Sequence, residues 1–167
     1  MKTDRVACSW LIKRYIDPEA EFFFFETEEL LVEAAKIGAK TFDAAGADFR
    51  HVGMHCSFEH MMMEYDLWGK DPALDHMAEI LNASDIRIKL YDFTLMEGFG
   101  IWALAQGFAE SLPDDYEKLK IVVPMYEALF QWCNLKMGKM KLTHYTPPRP
   151  EVFEKVKQAK EEAAKKA

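Results

Sequence analysis

The spacing of apolar residues divides the chain into a first third of short elements and a helical remainder. Arg5 to Ile16 reads as a short helix, with Trp10, Leu11 and Ile12 apolar and with Lys13 and Arg14 favouring its C-terminal end. Asp17-Pro18 ends it, because the residue before a proline avoids helical backbone. Glu21 to Glu26 holds four consecutive phenylalanines and predicts a strand buried on both faces. Thr27 then caps a helix with Glu28 and Glu29 in its first turn, running to Ile37 and stopped by Gly38. Thr41-Phe42-Asp43 predicts a second short strand, and Ala44 to Arg50 a loop turned at Gly46.

From Ser57 onward the period is helical. Ser57 can cap a helix through Tyr65, and Asp71-Pro72 sets an N-cap followed by proline at the first helical position, opening a helix to about Ala83. Asp92 to Ala109 is apolar at helical spacing, with Gly98, Gly100 and Gly107 allowing close packing. Asp114 and Asp115 open a long helix to about Lys136, with a kink expected at Pro124. The expected class is α+β, mostly helical: a small short-stranded sheet near the N-terminal half packed by a helical bundle. Residues 1–146 form one domain, and 147–167 a linker and a charged Lys/Glu/Ala helix that frays or packs on a partner.

Composition narrows the classes of function. Half of the 167 residues are hydrophobic, enough for a core, and the net charge of -7 with a pI near 5.3 opposes binding of nucleic acid or an anionic membrane by the chain alone. The longest apolar run is far short of the ~20 residues that span a bilayer, and the N-terminus has no signal-peptide core. A cytoplasmic location is expected, with Cys8, Cys56 and Cys133 reduced.

The densest chemistry lies between His51 and His60. His51, His55, Cys56, Glu59 and His60 fall within ten residues, and imidazole, thiolate and carboxylate share the capacity to donate electron pairs to a borderline divalent metal such as zinc or iron. Cys56 and His55 sit just before a helix start, where free amides and the dipole favour a thiolate or an anion. Spacings of three and four residues let Glu59 and His60 meet Cys56 on one face. The ligand spacing is not a stereotyped zinc signature, so a buried small cysteine among surface histidines is the bland alternative. Cys8 lies one turn from Arg5, whose guanidinium lowers a thiol pKa, although a core cysteine is equally ordinary. Trp10 and Arg14, four apart, suit a cation–π stack. Asp43 ends a strand before a glycine loop and serves either a site or turn amides. The run Met61-Met62-Met63 and Cys133 read as core filling. No phosphate loop, nucleophile elbow or dinucleotide fingerprint is present.

The opening run Asp4-Arg5-Val6-Ala7-Cys8-Ser9-Trp10-Leu11-Ile12-Lys13-Arg14-Tyr15-Ile16-Asp17-Pro18-Glu19-Ala20 resembles the start of the C-terminal domain of the chromate-resistance ChrB family. Thr41-Phe42-Asp43, Gly46, His51, Gly53, Cys56-Ser57-Phe58 and Glu59 are similar to that family's next block, and weaker likeness continues to about Cys133. The resemblance implies a role in chromate resistance and points to Asp4, Arg5, Cys8, Trp10, Arg14, Asp17, Asp43, His51, Cys56 and Glu59. Longer members, implicated in sensing chromate and controlling an efflux operon, carry an additional N-terminal region, so DNA control is not expected of this chain alone. Val52 stands where many members place a second histidine, and His55 is additional here.

Three functions follow as expectations. The first is a metal- or oxyanion-binding domain for sensing or detoxification. Its metal would be held by His51, Cys56, Glu59 and His55, with Arg5, Trp10, Arg14 and Asp43 contributing to ligand binding. Asp43 would orient His51. The second is a redox enzyme in which Cys8 and Cys56 act as catalytic thiols, which requires them within disulfide reach. The third is a non-enzymatic interaction module with a charged tail, which makes self-association plausible.

Overall fold

The computed structural model describes residues 3–90, 92 and 94–140. Among these residues the fold is helical: α1 (Thr3–Leu11), α2 (Leu30–Ile37), α3 (Ser57–Glu64), α4 (Pro72–Asp85), α5 (Met96–Ser111) and α6 (Asp115–Lys136). The expected linker and tail lie outside the described residues.

The amphipathic periods after Ser57 yield helices close to where the sequence places them. Asp71 caps α4 by accepting from the amides of Ala73 and Leu74, with Pro72 at the first helical position. Asp114 accepts from the Glu117 amide at the start of α6, which carries Pro124 inside it. Gly38 ends α2 at φ 67°, the left-handed backbone that glycine adopts without strain. α1 passes into a π-turn over Ile12–Ile16, closed by Asp17 donating to the Ile12 carbonyl before Pro18 halts the helix.

The expected α+β class, with its small sheet, is corrected: no strand or sheet occurs among the described residues. The aromatic run at 22–25 has no strand to pair with. Its rings are half-buried or exposed, and they pack by edges, Phe22 on Phe42 and Phe24 on Tyr116. Thr41-Phe42-Asp43 forms only a lone bridge, Phe42 to Phe49. A continuous apolar run is therefore satisfied here by ring contacts under an irregular segment, an outcome that periodicity alone does not separate from a buried strand.

The core is built on α1, of which only Arg5 is not buried. α1 packs on α3, α4 and α6, and α4 packs on α5 and α6. Cys8, Leu11, Phe58, Met61, Met62, Leu74 and Met77 are among the fully enclosed side chains. The buried Tyr126 hydroxyl donates to the Thr3 carbonyl (2.9 Å) and ties α6 to the start of α1. At Gly98 a Cβ would lie 2.7 Å from the Ala83 Cβ, so α4 and α5 approach as the glycine spacing predicts, whereas Gly100 and Gly107 face open space. Cys133, Met61 and Met62 are core, as expected, while Met63 is exposed.

Candidate metal centre

A helix begins with amides that lack intrahelical acceptors. At α3 those amides are met from another helix. Asp4, 2 % exposed on the first turn of α1, accepts from the Ser57 amide through Oδ2 (2.6 Å) and from the Phe58 amide through Oδ1 (3.1 Å). The N-cap itself is Cys56, one residue before the expected Ser57. Glu59 Oε2 accepts from the Cys56 amide (2.9 Å) and the Glu59 amide faces Cys56 Sγ, a capping box with cysteine in the serine position.

The chain between α2 and α3 carries the next groups. Asp48 Oδ2 accepts from the Thr41 amide (2.8 Å) and hydroxyl (2.9 Å), closing the loop from Thr41 to Phe49. The closed loop holds Asp43 at φ 54°, a left-handed backbone that aspartate tolerates better than most residues. Arg5 clamps Asp43, with Nε 3.2 Å from Oδ2 and Nη2 donating to the Asp43 carbonyl (2.9 Å). Val52 and His55 then exchange reciprocal backbone hydrogen bonds across a turn with Gly53 at φ 60°.

His51 precedes that turn and joins the parts. Its Nε2 lies 2.8 Å from Asp85 Oδ2, 3.3 Å from Asp4 Oδ2 and 3.9 Å from Asp43 Oδ1. Asp85 is the last residue of α4, where the helix dipole disfavours a carboxylate, and Lys89 supports its other oxygen (3.1 Å). Asp4, Asp43 and His51 each offer a ligand atom, and these atoms all lie within 4.8 Å of one another. An open cleft of about 300 Å³ lined by Asp43, Ala44, Ala45, Arg50, His51 and Ser57 leads to them.

Three carboxylates thus meet one guanidinium, one imidazole and, at Asp85 alone, the Lys89 ammonium, and their proton affinities reflect burial and this crowding. Burial, then the charge of Asp4, pushes the Asp43 carboxyl up to about 6, with Arg5 only partly offsetting them. His51 is raised, chiefly by its hydrogen bond to Asp4 and, against the cost of burial, by the charges of Asp85, Asp4 and Asp43.

The expected site residues are partly gathered and partly spread. Arg5, Asp43 and His51 converge. Cys8 and Cys56 are buried, close enough to Asp4 to feel its charge. Burial and the Asp4 charge hold both thiols well above the ordinary range, outweighing Arg5 at Cys8, so the thiolates expected at a helix start are disfavoured. Glu59 is turned inward, its Oε2 taken by the Cys56 amide, by Asn82 Nδ2 (2.6 Å) and by the half-exposed His55 (Nδ1 3.4 Å). Trp10 lies at the other end of α1 and Arg14 in the π-turn that continues it. There the Trp10 indole donates to Glu127 (3.1 Å) and Arg14 pairs with Glu127 (3.1 Å) while lying over Phe130. His60 accepts from or donates to the backbone of Arg50 and packs against Phe49.

Sequence reasoning did not find Asp85. The available signal was a carboxylate at a helix C-terminus, against the dipole. Asp4 carried no local signal beyond its place in the family-like opening run.

A family model described as "ChrB, C-terminal domain" matches residues 1–133. The chain is also 32% identical over 146 residues to "Protein ChrB" of Cupriavidus metallidurans, covering 87% of this chain and 39% of that protein. The chain therefore spans well under half of this relative's length. No solved structure matches.

Proposed function

We propose, on the premise that this chain belongs to the ChrB C-terminal domain family, that it binds a divalent metal cation between Asp4, Asp43 and His51 and serves chromate resistance as a metal-dependent sensing or detoxifying domain. The observation that carries this reading is the meeting of two carboxylate oxygens and an imidazole nitrogen within 4.8 Å. Donors sharing one ion sit roughly 3–4.4 Å apart, given metal–ligand lengths of about 2.1 Å. The Asp4–His51 and Asp43–His51 spacings of 3.3 and 3.9 Å fall in that range.

The donors are chemically suited. Two carboxylates and one imidazole favour zinc, iron(II) or manganese(II) over soft ions. Each donor is held by a second contact: Asp4 by the α3 amides, Asp43 by Arg5 and its own strained loop. Asp85 Oδ2 lies 2.8 Å from the same His51 Nε2, so a metal on that nitrogen takes Asp85 as a further ligand or displaces it. The open cleft at Asp43 and His51 gives access to water or a further ligand.

An oxyanion bound directly by the same groups is the weaker reading. Three carboxylates repel it, and Arg5 is already engaged by Asp43. The cysteines do not enter as ligands, because their protons are held by burial.

Titration calorimetry with zinc and manganese(II) at pH 7.5 tests the proposal. Saturable binding to one site is expected, weakened at least a hundredfold in His51→Ala and at least tenfold in Asp43→Asn, and unchanged in His55→Ala. Equal affinity in all four proteins, or no binding, would remove the site.

A further inference from the structure

A second cavity also has Arg5 in its wall. It holds about 110 Å³ between the aromatic run, α2 and the 39–44 segment, with Phe22, Phe24, Leu30, Ala34, Phe42 and Arg5 among its walls. The segment over it is loosely committed to the rest of the fold. Residues 21–26 form no regular element, their rings are tied down by edge contacts to Phe42 and Tyr116, and only Ala34 of α2 is buried. Leu31, Val32 and Ile37 of α2 face solvent. A covering element with few buried contacts is one that opens at low cost.

From this enclosure we infer that the cavity binds a single-ring aromatic molecule carrying one hydrogen-bond-accepting oxygen. An apolar cavity of about 150 Å³ takes up benzene, and this partly open one, walled by phenyl rings and by polar groups in similar measure, has room for one ring. A volume of 110 Å³ sets a single ring as the upper limit unless the cover yields. Phenyl walls favour another ring by edge and offset contact. The walls carry two cations, Arg5 and Lys40, and two carboxylates, Glu21 and Asp115; Arg5 is engaged by Asp43 and Asp115 by Lys118. No net charge therefore selects a multiply charged ligand, and recognition combines ring contact with Phe22, Phe24 and Phe42 and hydrogen bonding at the polar walls. Arg5 supplies the donor. Its Nε and Nη2 are spent on Asp43, whereas Nη1 has no acceptor among the described residues.

The two sites share Arg5, yet this site does not depend on metal. Phenol and benzoate, a neutral and an anionic form of the same chemistry, are titrated into the full chain and followed by amide chemical shifts. Saturating shifts clustered on residues 22–25, 30–34 and 39–44 are expected, with dissociation constants in the millimolar range or tighter. Tighter binding of benzoate assigns charge recognition to Arg5, and equal binding assigns hydrogen bonding alone; both uphold the site. Ala34→Leu fills the cavity from α2 and weakens binding at least tenfold, while its affinity for zinc stays that of the wild type. Leu30→Phe adds bulk one turn earlier on the same helix and gives the same result should the first variant fold poorly. His51→Ala retains phenol binding, which separates this site from the metal centre. Scattered or non-saturating shifts, or undiminished binding in the filled variants, overturn the inference.

Discussion

The two ends of α1 carry similar residues and do different things. At the Trp10–Arg14 end, one guanidinium faces one carboxylate, Glu127, and the rest of the contact is aromatic. Charge is balanced, both partners are part-exposed, and the arrangement joins α1 to α6. At the Asp4–Arg5 end, three carboxylates crowd around one arginine and one histidine, with Lys89 reaching only Asp85, and burial together with the charge of Asp4 holds the Asp43 proton up to about pH 6. An ion pair that closes on itself is architecture. A surplus of negative charge, fixed in place by buried hydrogen bonds, is a cost to folding that a bound cation relieves.

The sharpest way to break the comparison is at Asp4. Its carboxylate satisfies two amides at the start of α3, so Asp4→Ala leaves both buried and unmet. Urea denaturation should show a loss of about 3–5 kcal/mol. A loss under 1 kcal/mol would mean that Asp4 is a spare member of the cluster rather than its foundation.

The surplus of charge itself is read by pH. Asp43 has a folded-state pKa above its unfolded value, so it opposes folding once both states are ionised, and that opposition fades as pH falls through about 6. His51 is also raised, and the stability its charged form contributes is present below about 6.5 and lost as pH rises through its folded value. Both groups make the metal-free protein more stable at pH 5.5 than at pH 8. Asp43→Asn should remove much of that difference and stabilise the metal-free chain at pH 8 by about 1–2 kcal/mol. Protons compete with metal for the same atoms, so zinc affinity should run the other way and fall on acidification. Thermal melts with and without zinc at the two pH values check both signs.

The balanced end should respond weakly. Arg14→Ala removes a part-exposed ion pair and ring contacts, a loss of about 0.5–1 kcal/mol in denaturation, with zinc affinity unchanged. A large loss of metal binding in this variant would erase the distinction between the two ends.

What could be read from the chain beforehand follows the range of the interaction. The helices from Ser57 to Lys136 are set by local period and by caps such as Asp71 and Asp114, and they were legible. The run Phe22 to Phe25 was not, because its partners, Phe42 and Tyr116, are remote and are rings rather than a strand. His51, Asp43 and Arg5 could be named from residue type and from the family-like blocks. Asp4 was named in the same blocks and Asp85 was not, and that the two meet at His51 was legible for neither, since they come from the start of α1 and the end of α4 and meet only when those helices pack. Proximity in sequence also misled: Glu59 and His55, close to His51 along the chain, are drawn to Asn82 and to the start of α3 instead. Among the described residues no helix is long and apolar enough to cross a membrane.

Paramagnetic broadening by manganese(II) addresses the metal centre most directly. At a substoichiometric amount of the ion, amide signals of Asp4, Asp43, His51, Ser57 and Asp85 should broaden first, and those of Trp10, Arg14 and Glu127 should stay sharp. Broadening centred on His55 and Glu59, or spread evenly over the acidic surface, would contradict the account.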